Sequence, residues 1–341
     1  MIRKRYLEVL GTSNLRSYVY DTIEKLLASL RNCCADSLPV RVSQIAAEFQ
    51  VEPRPRFDSI PADGQIRFVP ELNKFVITLK RSIRQLPSSG SGTAESSLPS
   101  ATVRQRFTYA HEFAHRFFFV SDENGYWERA VSVAVRRVAP ELANDALRRL
   151  IKSEEGSCNV IARSLLVPRE LLQRAITGTF PSSQDAGFLV QLGALARMFK
   201  VSDECVFVRL QQARSDRELA ISPTLCALMI AQSEKVGAGQ LSVSRLRVVS
   251  SLLPERLQDA EITPLFPGMC IDNLGEELTS LGANVIKRDR DATGRATLPL
   301  TLTVKGPGTS SRQRFLLDGW YSVICRASSN RAWIWGSVVP E

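Results

Sequence analysis

The sequence predicts an α+β protein built in more than one part, and three observations carry that prediction. Helical periodicity dominates residues 15–213, two strand-like runs interrupt it at 64–69 and 74–79, and the texture changes after Ser222-Pro223. A chain of 341 residues also exceeds one ordinary core, so two or three domains are expected. Residues 15–32 form the first amphipathic helix, 36–40 a turn around Pro39, and 42–49 a second short helix. The runs at 64–69 and 74–79 flank Pro70-Glu71-Leu72-Asn73 and read as a small antiparallel pair. Residues 87–102 are rich in Ser, Gly and Pro and read as a loop. Helix is expected again over 104–120, 127–150, 154–166 and 188–213, with Pro168 as a stop. Residues 225–236 also read as helical. Beyond them, apolar runs at 297–304, 314–317, 321–325 and 332–339 are separated by turn residues, the pattern of a mixed α/β domain. The expected organisation is therefore a first domain over 1–186, a helical helix-turn-helix-like region over 187–239, and a C-terminal mixed α/β domain over 240–341.

Composition narrows the class. The net charge of +9 allows a nucleic-acid partner, but the basic residues are scattered with no run of five or more, so the charge reads as general solubility before a DNA footprint and DNA contact stays open. Seven cysteines, an odd number without a C-x-x-C spacing, read as reduced thiols and mostly small core residues. The basic start is followed by no apolar stretch, and no segment approaches eighteen apolar residues. A cytoplasmic protein with neither export signal nor membrane span is the expectation.

The two histidines of the whole chain sit four apart in His111-Glu112-Phe113-Ala114-His115. Random placement gives this H-E-x-x-H arrangement on the order of once in a few thousand shuffles. At about 100° per residue, positions i and i+4 differ by about 40°, so both imidazoles project from one helix face. Two neutral imidazoles there can take two corners of a Zn²⁺ tetrahedron. Glu112, one residue on, is placed to take a proton from an attacking water. A catalytic site of this kind needs a third protein ligand, and with no third histidine it must be Asp, Glu or Cys. The helix that reads EGSCNVIARSLLVP from Glu155 to Pro168 is the best local source.

Together, Arg106-Phe107-Thr108-Tyr109-Ala110 before the HEFAH run and Glu155, Asn159, Ala162, Leu165, Leu166 and Pro168 after it resemble the ImmA/IrrE family of bacterial zinc metallopeptidases. That family pairs an rFTxAHExxH helix with one of the form ExxANxFAxxLLMP; here Cys158 stands for the usual Ala. A downstream LAxxFxVSxxxVxxRL segment is present as LARMFKVS from Leu195, then Val206 and Arg209-Leu210. The resemblance covers residues 15–213. It implies a zincin-like, mostly helical metallopeptidase domain in which His111, His115 and Glu155 bind Zn²⁺, or Mn²⁺ in its place, and Glu112 is catalytic. Glu154 competes as ligand, but the register of Asn159 and Pro168 favours Glu155. Cys158 reads as a small buried residue, with zinc binding as its alternative. Radiation-response members carry a GAF-like sensory domain, which residues 240–341 are expected to supply as a regulatory part. The implied substrate is a helix-turn-helix transcriptional repressor, cleaved in a stress, DNA-damage or mobile-element response.

Other features are weighed beside this. The oxyanion partner cannot be a histidine, which leaves Tyr109, Tyr126 or an arginine. Residues 195–210 have helix-turn-helix spacing, yet the second helix opens on Asp203-Glu204, so it reads as support for the peptidase core before DNA contact. A DNA-binding regulator on a peptidase-like scaffold, and a toxin or phage-defence effector with a partner antitoxin, are the alternative functions. Trp333 and Trp335 fall on one side of a strand, and core packing is favoured there over a ligand pocket.

Overall fold

The structure, a computed structural model, describes residues 2–34, 38–81, 102–136, 143–176, 187–215, 225–234, 244–253, 257, 260–262, 285–288, 291–306, 309–326 and 329–340. It is mixed α and β and divides into two compact units. The first comprises Met1–Leu172 and Leu195–Val206, the second Gln173–Ala194 and Phe207–Glu341. Most of the 87–102 loop, residues 137–142 of the expected 127–150 helix and Cys270 lie outside the described residues.

In the first unit, helices α1 (Ile2–Val9), α2 (Leu15–Cys34) and α3 (Val42–Ala46) precede strands β1 (Arg56–Asp58), β2 (Gly64–Val69) and β3 (Lys74–Lys80). The expected antiparallel pair forms between β2 and β3, from Gly64 opposite Leu79 to Val69 opposite Lys74. The sheet order is β1-β3-β2, because the three exposed residues of β1 add to β3 in parallel. Helix α4 (Val103–His115) starts on a capping box: the Thr102 hydroxyl accepts from the Gln105 N–H, and the Gln105 side chain accepts from the Thr102 N–H. It buries Tyr109, Ala110, Phe113 and Ala114 and packs on β2, β3 and helix α6 (Ala143–Leu166).

Helix α4 ends at His115, short of the 120 expected from sequence, and a hairpin of β4 (Phe119–Ser121) and β5 (Trp127–Arg129) follows. Helix α5 (Ala130–Val135) begins only after β5, so 127–129 is strand where helix was expected. Aromatic rings explain the early stop. Phe49 meets Phe113 and Phe117 edge-on, and Phe75 meets Phe119 and Trp127 in the same way. The Arg116 guanidinium lies 4.4 Å from the Phe75 ring centre and 4.0 Å from that of Trp127. Its Nε donates to Phe49 O. This stack clamps the chain immediately after His115 against the sheet.

The chain passes between the units within α7 (Arg169–Ile176), α8 (Phe188–Phe199) and α9 (Asp203–Ser215). Ser202 Oγ accepts from the Cys205 N–H and caps α9. In the second unit, the segment expected to be helical at 225–236 is instead strand β6 (Leu225–Glu234). Strands β7 (Ser244–Leu252), β8 (Glu261–Ile262), β9 (Val285–Arg288), β10 (Asp291–Gly306), β11 (Thr309–Arg326) and β12 (Ser329–Pro340) complete an antiparallel sheet of order β7-β6-β12-β11-β10-β8, with β9 on β10. Among the described residues after 224 the regular elements are all strands, so the helical share of the expected mixed α/β domain is not seen there. One face buries Leu228, Ile230, Leu300, Leu317 and Ile334. On the other, Trp333 packs edge-on against Phe207 at 5.0 Å and Trp335 lies 5.9 Å from Phe188, which is the core role expected for this pair.

Gly319 and Gly336 stand opposite each other on β11 and β12. A Cβ on Gly319 would lie 2.0 Å from Trp335 O, and one on Gly336 2.2 Å from Asp318 O, so the backbones approach as only glycine allows. Gly156, by contrast, is an exposed helix position with nothing within 4 Å of an added Cβ. Gly319→Ala is expected to destabilise the protein by about 1–3 kcal/mol through overpacking. Gly156→Ala should stabilise it by about 0.5–1 kcal/mol. Thermal and denaturant unfolding of the two variants checks the contrast.

Candidate metal centre

The i, i+4 pair of α4 meets an i, i+4 pair of α6. His111 Nε2 lies 3.0 Å from Glu155 Oε2, and its Nδ1 lies 3.0 Å from Asn159 Oδ1. His115 Nε2 lies 3.2 Å from His111 Nε2 and 3.4 Å from Glu155 Oε1. Residues four apart on each helix share a face, so two helices suffice to bring all four side chains together.

Asn159 Oδ1 accepts from Nδ1 of His111, which leaves Nε2 of that ring as a lone-pair donor. On the other ring, Nδ1 of His115 faces Glu154 Oε1 at 3.4 Å and Cys158 Sγ at 3.3 Å. A proton held there by Glu154 leaves Nε2 of His115 free in the same way. In that tautomer two nitrogen lone pairs and a carboxylate converge on one point, where either a metal cation or a further proton on His115 supplies the positive charge between them. Donors of a tetrahedral Zn²⁺ with bonds of about 2.0–2.1 Å are about 3.3–3.4 Å apart. The observed 3.0, 3.2 and 3.4 Å separations fit that tetrahedron, so His111, His115 and Glu155 can hold a metal ion.

Charge around the rings points the same way. Burial pulls His115 down, but Cys158, Glu154 and Glu155 outweigh it and push the ring up to about 12. Burial and the neighbouring His115 hold His111 below the usual imidazole range. The hydrogen bond with His115 draws Glu155 down to about 2. The centre thus carries a negative environment that attracts positive charge. Cys158 is fully buried, faces the Nδ1 side of His115, and is pushed up to about 11 by burial, whereas the converging donor atoms are those of His111, His115 and Glu155.

Glu154, the competing ligand in the sequence, points away from the three donors. It is fully buried, receives the Tyr6 hydroxyl at 3.1 Å, and is ion-paired with Nη2 of Arg129. The rotation of about 100° between neighbouring helix residues puts Glu155 on the donor side and Glu154 behind His115. Glu112 lines the same cleft of about 520 Å³ as the three donors, beside Gly64, Ile66 and Arg129. Its carboxylate accepts the Ile66 backbone N–H, and burial raises it above the usual carboxylate range. Strand β2 reaches it only because of Gly64: a Cβ there would fall 2.6 Å from Thr108 Cγ2 and 2.8 Å from Glu112 Cγ.

The other sequence candidates fall elsewhere. Tyr109 is buried with its hydroxyl on Pro53 O at 3.3 Å, and Tyr126 is 58% exposed on the β4–β5 turn, outside the cleft lining. The two basic residues of α9, Arg209 and Arg214, are buried, so that helix presents neither to a phosphate backbone. The orienting role of Asn159 was signalled by its i+4 spacing from Glu155. Tyr6 and Arg129 reach Glu154 across 148 and 25 residues of chain, and no local pattern marks them.

Glu154→Gln and Asn159→Ala, which spare the three donors, are each expected to weaken Zn²⁺ affinity about 10–100-fold while leaving one site per chain. Chelator-competition titration measures this, and unchanged affinity in both would refute the orienting role. No family of known proteins matches the chain, and no curated protein or solved structure matches it, so the centre is read from its own geometry.

Proposed function

We propose that the chain is a zinc-dependent endopeptidase of the ImmA/IrrE type that cuts a protein substrate at a specific site. By that resemblance the substrate is a helix-turn-helix transcriptional repressor, cleaved in the cytoplasm in a stress, DNA-damage or mobile-element response. The observation that supports this most is the convergence of His111, His115 and Glu155 in one cleft with the buried carboxylate of Glu112. Two imidazoles and a carboxylate suit Zn²⁺ best, and Mn²⁺ is the other ion such a set accepts. When bound, the ion supplies Lewis acidity, which polarises a carbonyl and makes a nearby water acidic close to neutral pH.

The chain's own residues supply the rest. Glu112 takes a proton from the attacking water and delivers it to the departing amide nitrogen, and its raised affinity for a proton suits both transfers. Asn159 and Glu154 hold the two rings so that both Nε2 atoms face the cleft. Substrate binding falls to β2. Strand β3 is paired on both sides and has no edge to offer, whereas β2 pairs only with β3 among the described residues.

The Lys80 N–H bonds Asp63 O, so alternation along the ladder turns Gly64, Ile66 and Phe68 outward. The Ile66 N–H is taken by Glu112. The remaining outward groups can add a peptide as a further strand, beside the base and the donors. No described helix is long and apolar enough to cross a membrane.

Replacing the base separates catalysis from binding. Cells that produce the wild-type chain are expected to show a few new protein N-termini, one of them inside a helix-turn-helix repressor. With Glu112→Gln these should fall by at least about 100-fold while the purified variant keeps its zinc. Identical N-termini with both proteins would contradict the peptidase reading.

A further inference from the structure

Among the described residues, Arg129 is the single Lys or Arg that lines the cleft, beside Asp63, Glu112 and Glu155. It closes β5, and its Nη2 holds the fully buried Glu154 while lying 3.9 Å from Glu155 Oε1. Its Nη1 makes no hydrogen bond among the described residues, and it is not among the atoms sealed from solvent. The side chain is 36% exposed, whereas Glu154 behind it is fully buried. One end of this guanidinium is therefore spent on the protein, and Nη1 is the donor left open on a side chain that lines the cleft. Tyr109 is tied to Pro53 O and Tyr126 lies outside the lining, which leaves Arg129 as the cationic donor lining the cleft among the described residues.

We propose that Arg129 divides its fork between two partners: Nη2 fixes the Glu154 carboxylate that orients His115, and Nη1 receives the charge that develops on the scissile carbonyl oxygen. This rests on the hydrolytic reading above. In that reaction the water oxygen bonds to the carbonyl carbon and the carbonyl π pair moves onto its oxygen, where Nη1 donates to it. The water's proton goes to Glu112 and then to the nitrogen, the oxyanion's pair re-forms the carbonyl as the C–N bond breaks, and the new acid's remaining proton passes to the amine, so that a carboxylate and an ammonium leave. A donor already in place for that oxygen favours the transition state over the neutral ground state. The pairing of roles also accounts for arginine at this position: a lysine ammonium is a single point charge and cannot bond two partners in fixed, divergent directions.

The test uses full-length, zinc-loaded protein and acetohydroxamate, a small oxyanion probe, by calorimetric titration. Arg129→Lys keeps a positive charge for Glu154 and removes the second donor. It is expected to hold one zinc per chain while binding the probe at least about tenfold more weakly than wild type. If the lysine variant does not fold, Arg129→Met combined with Glu154→Gln, which leaves no unpaired buried carboxylate, carries the same expectation. Probe affinity equal to wild type overturns the proposal, as does loss of zinc from both variants, which would make Arg129 a structural support alone. A wild-type protein that binds neither zinc nor probe would instead overturn the hydrolytic reading beneath it.

Discussion

His111 and His115 turn their Nε2 atoms toward each other at 3.2 Å, and the rest of the site depends on that approach. Each ring is fixed from behind, by Asn159 on one and by Glu154 on the other, so that both nitrogens offer lone pairs to the same point. Glu155 adds a carboxylate there. Groups held this closely call for a positive charge between them, which a proton on His115 or a metal ion can supply. The fold holds them regardless: α4 is capped at Thr102 and clamped after His115 by the Arg116–Phe75–Trp127 stack, and α6 presents Glu155 and Asn159 on one face.

Behind the donors lies a second buried charge system. Glu154 has no contact with water, and an unpaired carboxylate there would be costly. Arg129 and Tyr6 meet it from the β4–β5 hairpin and from the first helix, so two elements far apart in the chain report on the position of one ring. That coupling gives α1 and β5 a reason to pack where they do, beyond the area they bury. It also places a guanidinium 3.9 Å from Glu155 without leaving its charge uncompensated.

What the sequence made legible is what local geometry encodes. The spacing of His111 and His115 settles which face they share, and the register of Glu155 with Asn159 separates it from Glu154 one residue earlier. The β2–β3 pair was readable because a turn sequence sits between two strand-like runs. Strand β6 was not, because both of its faces are buried: Cys226, Leu228 and Ile230 on one side, Leu225, Ala227 and Met229 on the other. Such a run shows no period-two alternation, and its Leu, Ala and Met content imitates a helix. Strand β1 is fully exposed and carries no pattern, and α1 shows only Ile2 and Tyr6 as its buried pair. Arg129 was invisible for a different reason. Its meaning comes from Glu154, and only tertiary structure brings the two together.

The central claim is that His111, His115 and Glu155 together hold one metal ion. Metal analysis of the purified full-length protein beside His115→Ala and Glu155→Ala tests it most directly. About one zinc per wild-type chain and its loss from both variants are expected for a site with three protein ligands. Wild-type protein without stoichiometric zinc, or zinc unchanged in both variants, would contradict it.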